Sequence, residues 1–191
     1  MDSSDPDWPA DQDRTSQRWL LLIYRVPPEP SRLRATVWRR IKLLGAFYLR
    51  NAAASLPASV SADQEMRRLR SEIIDMSGSA VLLSCEVLAG EESLRAAADT
   101  ARNGEYEEIV SRCTHLIASL NKECAEQHFS HVELEQGKTD LVKLRSWLER
   151  VRNRDVFGAE GLQPALSALA GCEKNLDAYE ARIYAHESPA H

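Results

Sequence analysis

The sequence predicts an α+β fold: a βαββαβ antiparallel sheet domain followed by an antiparallel helical C-terminal half. Three observations carry this. Trp19–Val26 (WLLLIYRV) is a continuous apolar run rich in strand formers that stops at Pro27-Pro28. Ser79–Leu88 (SAVLLSCEVL) is a second such run. From Glu91 onward no strand-like run follows, and apolar residues recur every three or four positions.

Residues 1–17 are polar, with two prolines and five aspartates, and are expected to form a disordered tail in which Trp8 is the one large apolar residue. Trp19–Val26 is expected to be a buried strand that proline ends. Ser31 is placed to N-cap a helix over 32–44, whose Leu33, Val37, Ile41 and Leu44 form one apolar stripe, with Gly45 as its left-handed C-cap. Phe47–Leu49 and Ala52–Leu56 read as a hairpin turning at Arg50-Asn51, since asparagine tolerates the positive φ of a tight turn. Asp63 is expected to cap a second helix over 64–76, with Met66, Leu69 (or Arg70) and Ile73 inward and Ser77-Gly78 as its stop. Ser79–Leu88 is then a fourth strand, buried like the first, and the two apolar strands are assigned to the centre of the sheet. This order is that of the ferredoxin-like split βαβ arrangement. Three amphipathic helices follow, over 105–131, 134–152 and 161–185. The expected divisions are a tail at 1–17, a ferredoxin-like domain at 18–90 and a helical domain at 91–187.

The 191 residues carry a net charge of −5 that hides an asymmetry. Arg14 to Arg50 holds nine basic residues against one acid, Glu29, leaving fifteen basic and twenty-eight acidic residues for the remainder. A basic surface on one part of the fold points to a polyanion, nucleic acid first. The alternative is that the acidic remainder, or a second subunit, neutralises it. No apolar run approaches the roughly 18–20 residues of a membrane span, and the acidic N-terminus has no secretory pattern, so a cytoplasmic protein without a membrane partner is expected. Cys85, Cys113, Cys124 and Cys172 form no CxxC pair and read as free thiols. The signatures GxGxxG, GxxxxGK[ST], GxSxG and HExxH are missing, so neither an enzyme nor a cofactor is expected.

Three constellations stand out. On the first helix, Arg32, Arg34, Arg39 and Lys42 fall opposite the apolar stripe with Trp38 among them and Arg40 at the edge; with Arg50 they are the nucleic-acid-binding candidates. Cys124, His128 and His131, at i, i+4 and i+7, share one helix face with Cys113, which makes them metal candidates beside a plain core stripe. Arg152 and Arg154, in a basic cluster that also suits a helix C-terminus, are the speculative anion-binding pair. Beside them, Arg154-Asp155, Phe157 and Gly158 read as a structured corner, with the first two paired.

The segments WLLLIYRVP, LRATVWRRIKLLGAFYLRNAAASLP, SEIIDMSGSAVLL, RNGEYEEIV and DLVKLRSWLERVRNRDVFGAEG resemble the N-terminal domain of the ChrB chromate-resistance regulatory proteins, from about Trp19 to Tyr184. The first strand–helix–strand pattern is also similar to the ferredoxin-like domain of phenylacetate-degradation repressors, which implies fold alone. The ChrB resemblance implies a transcriptional regulator that binds operator DNA, through Arg32, Arg34, Arg39, Arg40, Lys42 and Arg50, and responds to chromate. A homodimer and an oxyanion effector are expected with it. Such proteins usually continue into a C-terminal domain, so the chain is expected to be a stand-alone form. Two other functions stay open: an interaction or assembly module of a resistance system that binds no DNA, and a Cys/His metal or redox protein.

Overall fold

A computed structural model describes residues 17–187. The expected tail, with Trp8, lies outside the described residues apart from Gln17. The elements are β1 (Trp19–Arg25), α1 (Arg32–Leu43), β2 (Phe47–Arg50), β3 (Ala53–Pro57), α2 (Val60–Asp75), β4 (Ser79–Cys85), α3 (Glu91–Ala125), α4 (His131–Arg152) and α5 (Leu162–Glu187). The fold is α+β, with a four-stranded antiparallel sheet and five helices among the described residues. The chain divides into two compact units. One holds the described residues up to Arg40 together with Tyr48–Glu91, the other Ile41–Phe47 together with the described residues from Glu92.

In the first unit the strand order is β2-β3-β1-β4, and β1 runs antiparallel to both β3 and β4. Each strand–helix–strand crossover therefore skips one strand, which interleaves two split βαβ units. β1 pairs Leu20 with Leu56 and Leu22 with Ala54 on one side, and Leu22 with Leu82 and Tyr24 with Ala80 on the other. Side chains alternate across the sheet, so Leu20, Leu22, Ala54, Leu56 and Ala80 share one face, and all are buried. α2 packs on β1 and β4 and buries Met66, Leu69 and Ile73. Each of these side chains contributes roughly 1.5–3 kcal/mol by leaving water. On the opposite face Trp19 and Ser55 are buried, while Ile23, Val81 and Leu83 stay exposed.

Several sequence expectations are corrected here. β4 is an edge strand, not a central one, and it ends at Cys85; β3 takes the centre beside β1. An apolar run reports burial on at least one face and cannot report its rank in the sheet. α2 starts earlier than expected, because Ser59 and not Asp63 caps it: Ser59 Oγ accepts from Ala62 N at 3.1 Å, and Asp63, inside the first turn, pairs with Arg67 at 2.7 Å. The hairpin takes its positive φ at Ala52 (64°), one residue past Asn51, whereas the left-handed turn after α2 falls on Ser77 (60°), within the expected Ser77-Gly78 stop.

The second unit buries one apolar cluster, formed by Tyr106, Ile109 and Cys113 of α3, Leu134, Leu141, Leu144 and Leu148 of α4, and Leu169, Cys172, Leu176 and Ile183 of α5. Gly137 permits close approach of α4 and α5: a Cβ there would lie 2.6 Å from Leu176 Cδ2. α3 is longer at its start and shorter at its end than the expected 105–131. Gln127 takes φ 55° and ends the helical path, and Ser130 N-caps α4 by accepting from Val132 N at 3.2 Å.

Candidate nucleic-acid interface

α1 exposes a cationic face. Leu33, Val37 and Leu44 turn inward or lie half-buried, whereas Arg32, Arg34, Arg39 and Lys42 are exposed and Trp38 is 53% exposed. Arg34, Trp38 and Lys42 follow one another at four-residue steps, so the indole lies along the helix between two cations, with Arg39 beside it. Arg39 Nε donates to the carbonyl of Ala35 at 3.3 Å, which holds its guanidinium against its own helix. Among the described residues no carboxylate lies within ion-pair range of Arg32, Arg34, Arg39, Lys42 or Arg50. Arg40 differs: it makes a two-pronged bond to Glu72 of α2, at 2.8 and 3.2 Å. Among the described residues, one member of the predicted set is thus neutralised by an acid.

The polarity of α1 is unusual. Its first turn has no acidic residue and carries Arg32 and Arg34. The N-terminus of a helix bears positive partial charge, so cations there are disfavoured by a few tenths to about 1 kcal/mol. An anion placed at that end relieves the repulsion and meets both guanidinium groups. Arg50, at the end of β2, is exposed as well.

A second charged cluster lies in the helical unit, and sequence reasoning passed over most of it. Arg102, in the middle of α3, is 5% exposed. Its Nη2 donates to the Gly45 carbonyl, and its Nη1 makes an ion contact of 2.6 Å with Glu105 whose angles are not those of a hydrogen bond. Arg154 donates to Glu105 at 2.8 Å and to the Leu43 carbonyl. Both arginines hold the chain just past α1, where Gly45 has φ 72° and a Cβ would lie 2.5 Å from Arg102 Nη1. Burial lowers the pKa of Arg102, opposed by Glu105. Asp155 accepts from Tyr106 Oη at 3.0 Å and from the N–H groups of Gly158 and Ala159. Burial and that bond raise the Tyr106 pKa. The expected Arg154–Asp155 pair is therefore replaced by two separate bonds, and Phe157 stacks beneath Arg95 at 4.8 Å. One signal could have found the cluster: Arg102 occupies a position of the buried stripe Ala98, Tyr106, Ile109 and Cys113.

These placements bear on the remaining candidates. Arg154 is engaged by Glu105 and a backbone carbonyl, while Arg152 is exposed. Cys124, His128 and His131 do not share a helix face, because the chain leaves α3 at Gln127 and His131 opens α4. His131 instead meets Glu187 at 2.7 Å, and His128 lies 3.6 Å from Glu126. Among the described residues no group of three His, Cys, Asp or Glu side chains could hold a metal ion. Cys113 and Cys172 are fully buried, and the Cys172 thiol donates to the Cys113 carbonyl at 3.4 Å. No described helix is long and apolar enough to cross a membrane.

Comparison with known proteins places this arrangement in a family. Over 96 residues, half of this chain, the sequence is 31% identical to Protein ChrB of Cupriavidus metallidurans. That match covers 26% of the relative's own length. The sequence model described as Protein ChrB, N-terminal, matches residues 34–190, a span that takes in most of α1 and the whole of the Arg102–Arg154 cluster. The chain belongs to the ChrB N-terminal family.

Proposed function

We propose that the protein is a DNA-binding regulator of chromate resistance in which α1 meets the phosphate backbone. The observation that carries this reading is the face of Arg32, Arg34, Arg39 and Lys42 around an exposed Trp38, none of them paired with a carboxylate among the described residues. Four such cations displace condensed counterions when they replace them on DNA, which makes affinity steeply dependent on salt. Trp38 offers a flat apolar surface to sugar or base beside those phosphates. The link to chromate rests on membership of the ChrB N-terminal family. No oxyanion site is proposed at Arg152 and Arg154, because Glu105 and the Leu43 carbonyl already engage the Arg154 guanidinium.

The test is fluorescence anisotropy of the full chain with a duplex from its own promoter and with a scrambled duplex, in 50 and 200 mM salt. Four phosphate contacts give a slope of about −3.6 in log K against log salt, hence roughly a hundredfold loss across that range. The promoter is expected to bind more tightly than the scrambled duplex. The double substitution Arg34→Glu, Arg39→Glu is expected to abolish measurable binding. A wild-type protein that binds neither duplex at low salt, or a charge-reversed variant that binds as well as wild type, refutes the proposal.

A further inference from the structure

β4 is the edge of the sheet, and its own sequence is open to another strand. Its sequence, SAVLLSC, holds no charge and no proline. The direction of its backbone follows from one bond. Tyr24 N–H donates to the Ala52 carbonyl at 2.9 Å, so Tyr24 turns its backbone groups toward the β3 side of β1. Leu21 and Ile23 then turn theirs toward β4, where their register partners are Leu83 and Val81. The N–H and C=O groups of Ala80, Leu82 and Ser84 therefore point away from the sheet. Among the described residues the bond found on that edge is from Arg70 Nε to the Ala80 carbonyl, at 3.2 Å.

The side chains around this edge are also open. Val81 is 55% and Leu83 42% exposed on one face of the sheet. On the other face, α2 turns Glu72 toward Arg40 of α1, and its opposite flank, marked by Arg70, carries Ile74 with 43% exposure over the β4 side. From these observations we infer that β4 pairs with β4 of a second copy of this chain, antiparallel about Leu82, to form one continuous eight-stranded sheet.

The occupant is identified by the strand itself. Around Leu82 the sequence reads nearly alike in both directions, small residues outermost and apolar residues within. A two-fold axis there sets Val81 opposite Leu83 of the second copy, and Ala80 opposite its Ser84. The outward groups of Ala80, Leu82 and Ser84 then fall in the hydrogen-bonded pairs of the new ladder, the Ala80 carbonyl using the lone pair that Arg70 leaves. This is the self-complementarity that a closed dimer requires. Charge agrees with it: Arg70, at Ala80, would lie on the same face as Glu86 of the second copy, two residues beyond Ser84. Edge pairing of this kind falls at the small end of specific interfaces, under about 1,200 Å², so micromolar dissociation is expected.

Sedimentation equilibrium of the full chain without nucleic acid, from 5 to 200 µM, tests this. The apparent mass is expected to rise with concentration from 21.4 kDa toward twice that value. Val81→Lys sets a cation against Leu83 of the second copy and should raise the dissociation constant at least tenfold. Ser84→Pro removes one outward N–H without touching the ladder to β1 and should do the same. Val81 is already half exposed, so the unfolding midpoint of its variant should stay within a few degrees of wild type. Arg34→Glu, Arg39→Glu should leave the dimer unchanged, which separates this inference from the reading of α1. A wild-type mass of 21.4 kDa throughout, or a dimer indifferent to both β4 substitutions, overturns it.

Discussion

The two buried cysteines show how position sets the chemistry of one residue type. Cys113 and Cys172 face each other across α3 and α5 with no solvent exposure. Burial pushes the Cys172 thiol up to about 12 and raises Cys113 as well. Thiolates are the reactive form, so both should resist alkylation in the native protein at pH 8. Mass spectrometry after brief iodoacetamide treatment is expected to find label on the half-buried Cys85 and Cys124. All four should be labelled once guanidinium unfolds the chain; native labelling of Cys113 or Cys172 would contradict the packing described. At the same scale, the sequence located the caps and turns to within one or a few positions but named Asp63 where Ser59 caps and Asn51 where Ala52 takes the positive φ. Ser59 and Asp63 are both competent caps, and Asn51 tolerates a positive φ better than Ala52, so the choice among them depends on where the flanking elements pack.

At the scale of elements, α1 and its stop are the most constrained part of the chain. The apolar stripe, the basic face and the left-handed Gly45 were all legible, because each is a local pattern of spacing or conformation. That Gly45 also lies beneath two guanidinium groups was not legible, since Arg102 and Arg154 are 57 and 109 residues away. Gly45→Ala meets two obstacles: a φ that side chains disfavour by about 1–3 kcal/mol, and a Cβ 2.5 Å from Arg102 Nη1. The variant should lose at least about 2 kcal/mol of stability, which for a chain of this size lowers the unfolding midpoint by roughly 4–8 °C in calorimetry. An unchanged midpoint would mean that the arginine pair does not define this corner. β4 teaches the opposite lesson: its apolar sequence suggested a strand flanked on both sides, and the topology leaves one side open.

For the whole molecule, charge distribution matters more than net charge. In a chain of −5 overall, the cations of the α1 face other than Arg40 have no carboxylate partner among the described residues. The Arg40–Glu72 pair is about one-third exposed on both sides and contributes at most about 1 kcal/mol. Glu72→Gln should therefore leave the fold intact while releasing one cation beside the α1 face. Under the proposed function, DNA affinity then rises and the salt slope steepens by up to about 0.9, the value of one added phosphate contact. The same anisotropy titration reads it; an unaltered slope would confine the contact to the other arginines.

Local information in the sequence determined the fold class, the alternation of strands and helices, the helix stripes and the identity of the basic face, because periodicity and conformational preference act over a few residues. Tertiary structure alone decided which strand is the edge, which arginine is neutralised, and that Cys124, His128 and His131 part company at Gln127. The first two depend on residues far apart in the chain, whose approach is fixed only when layers of secondary structure pack; the third turns on a single left-handed residue inside an otherwise helical spacing, which periodicity does not report.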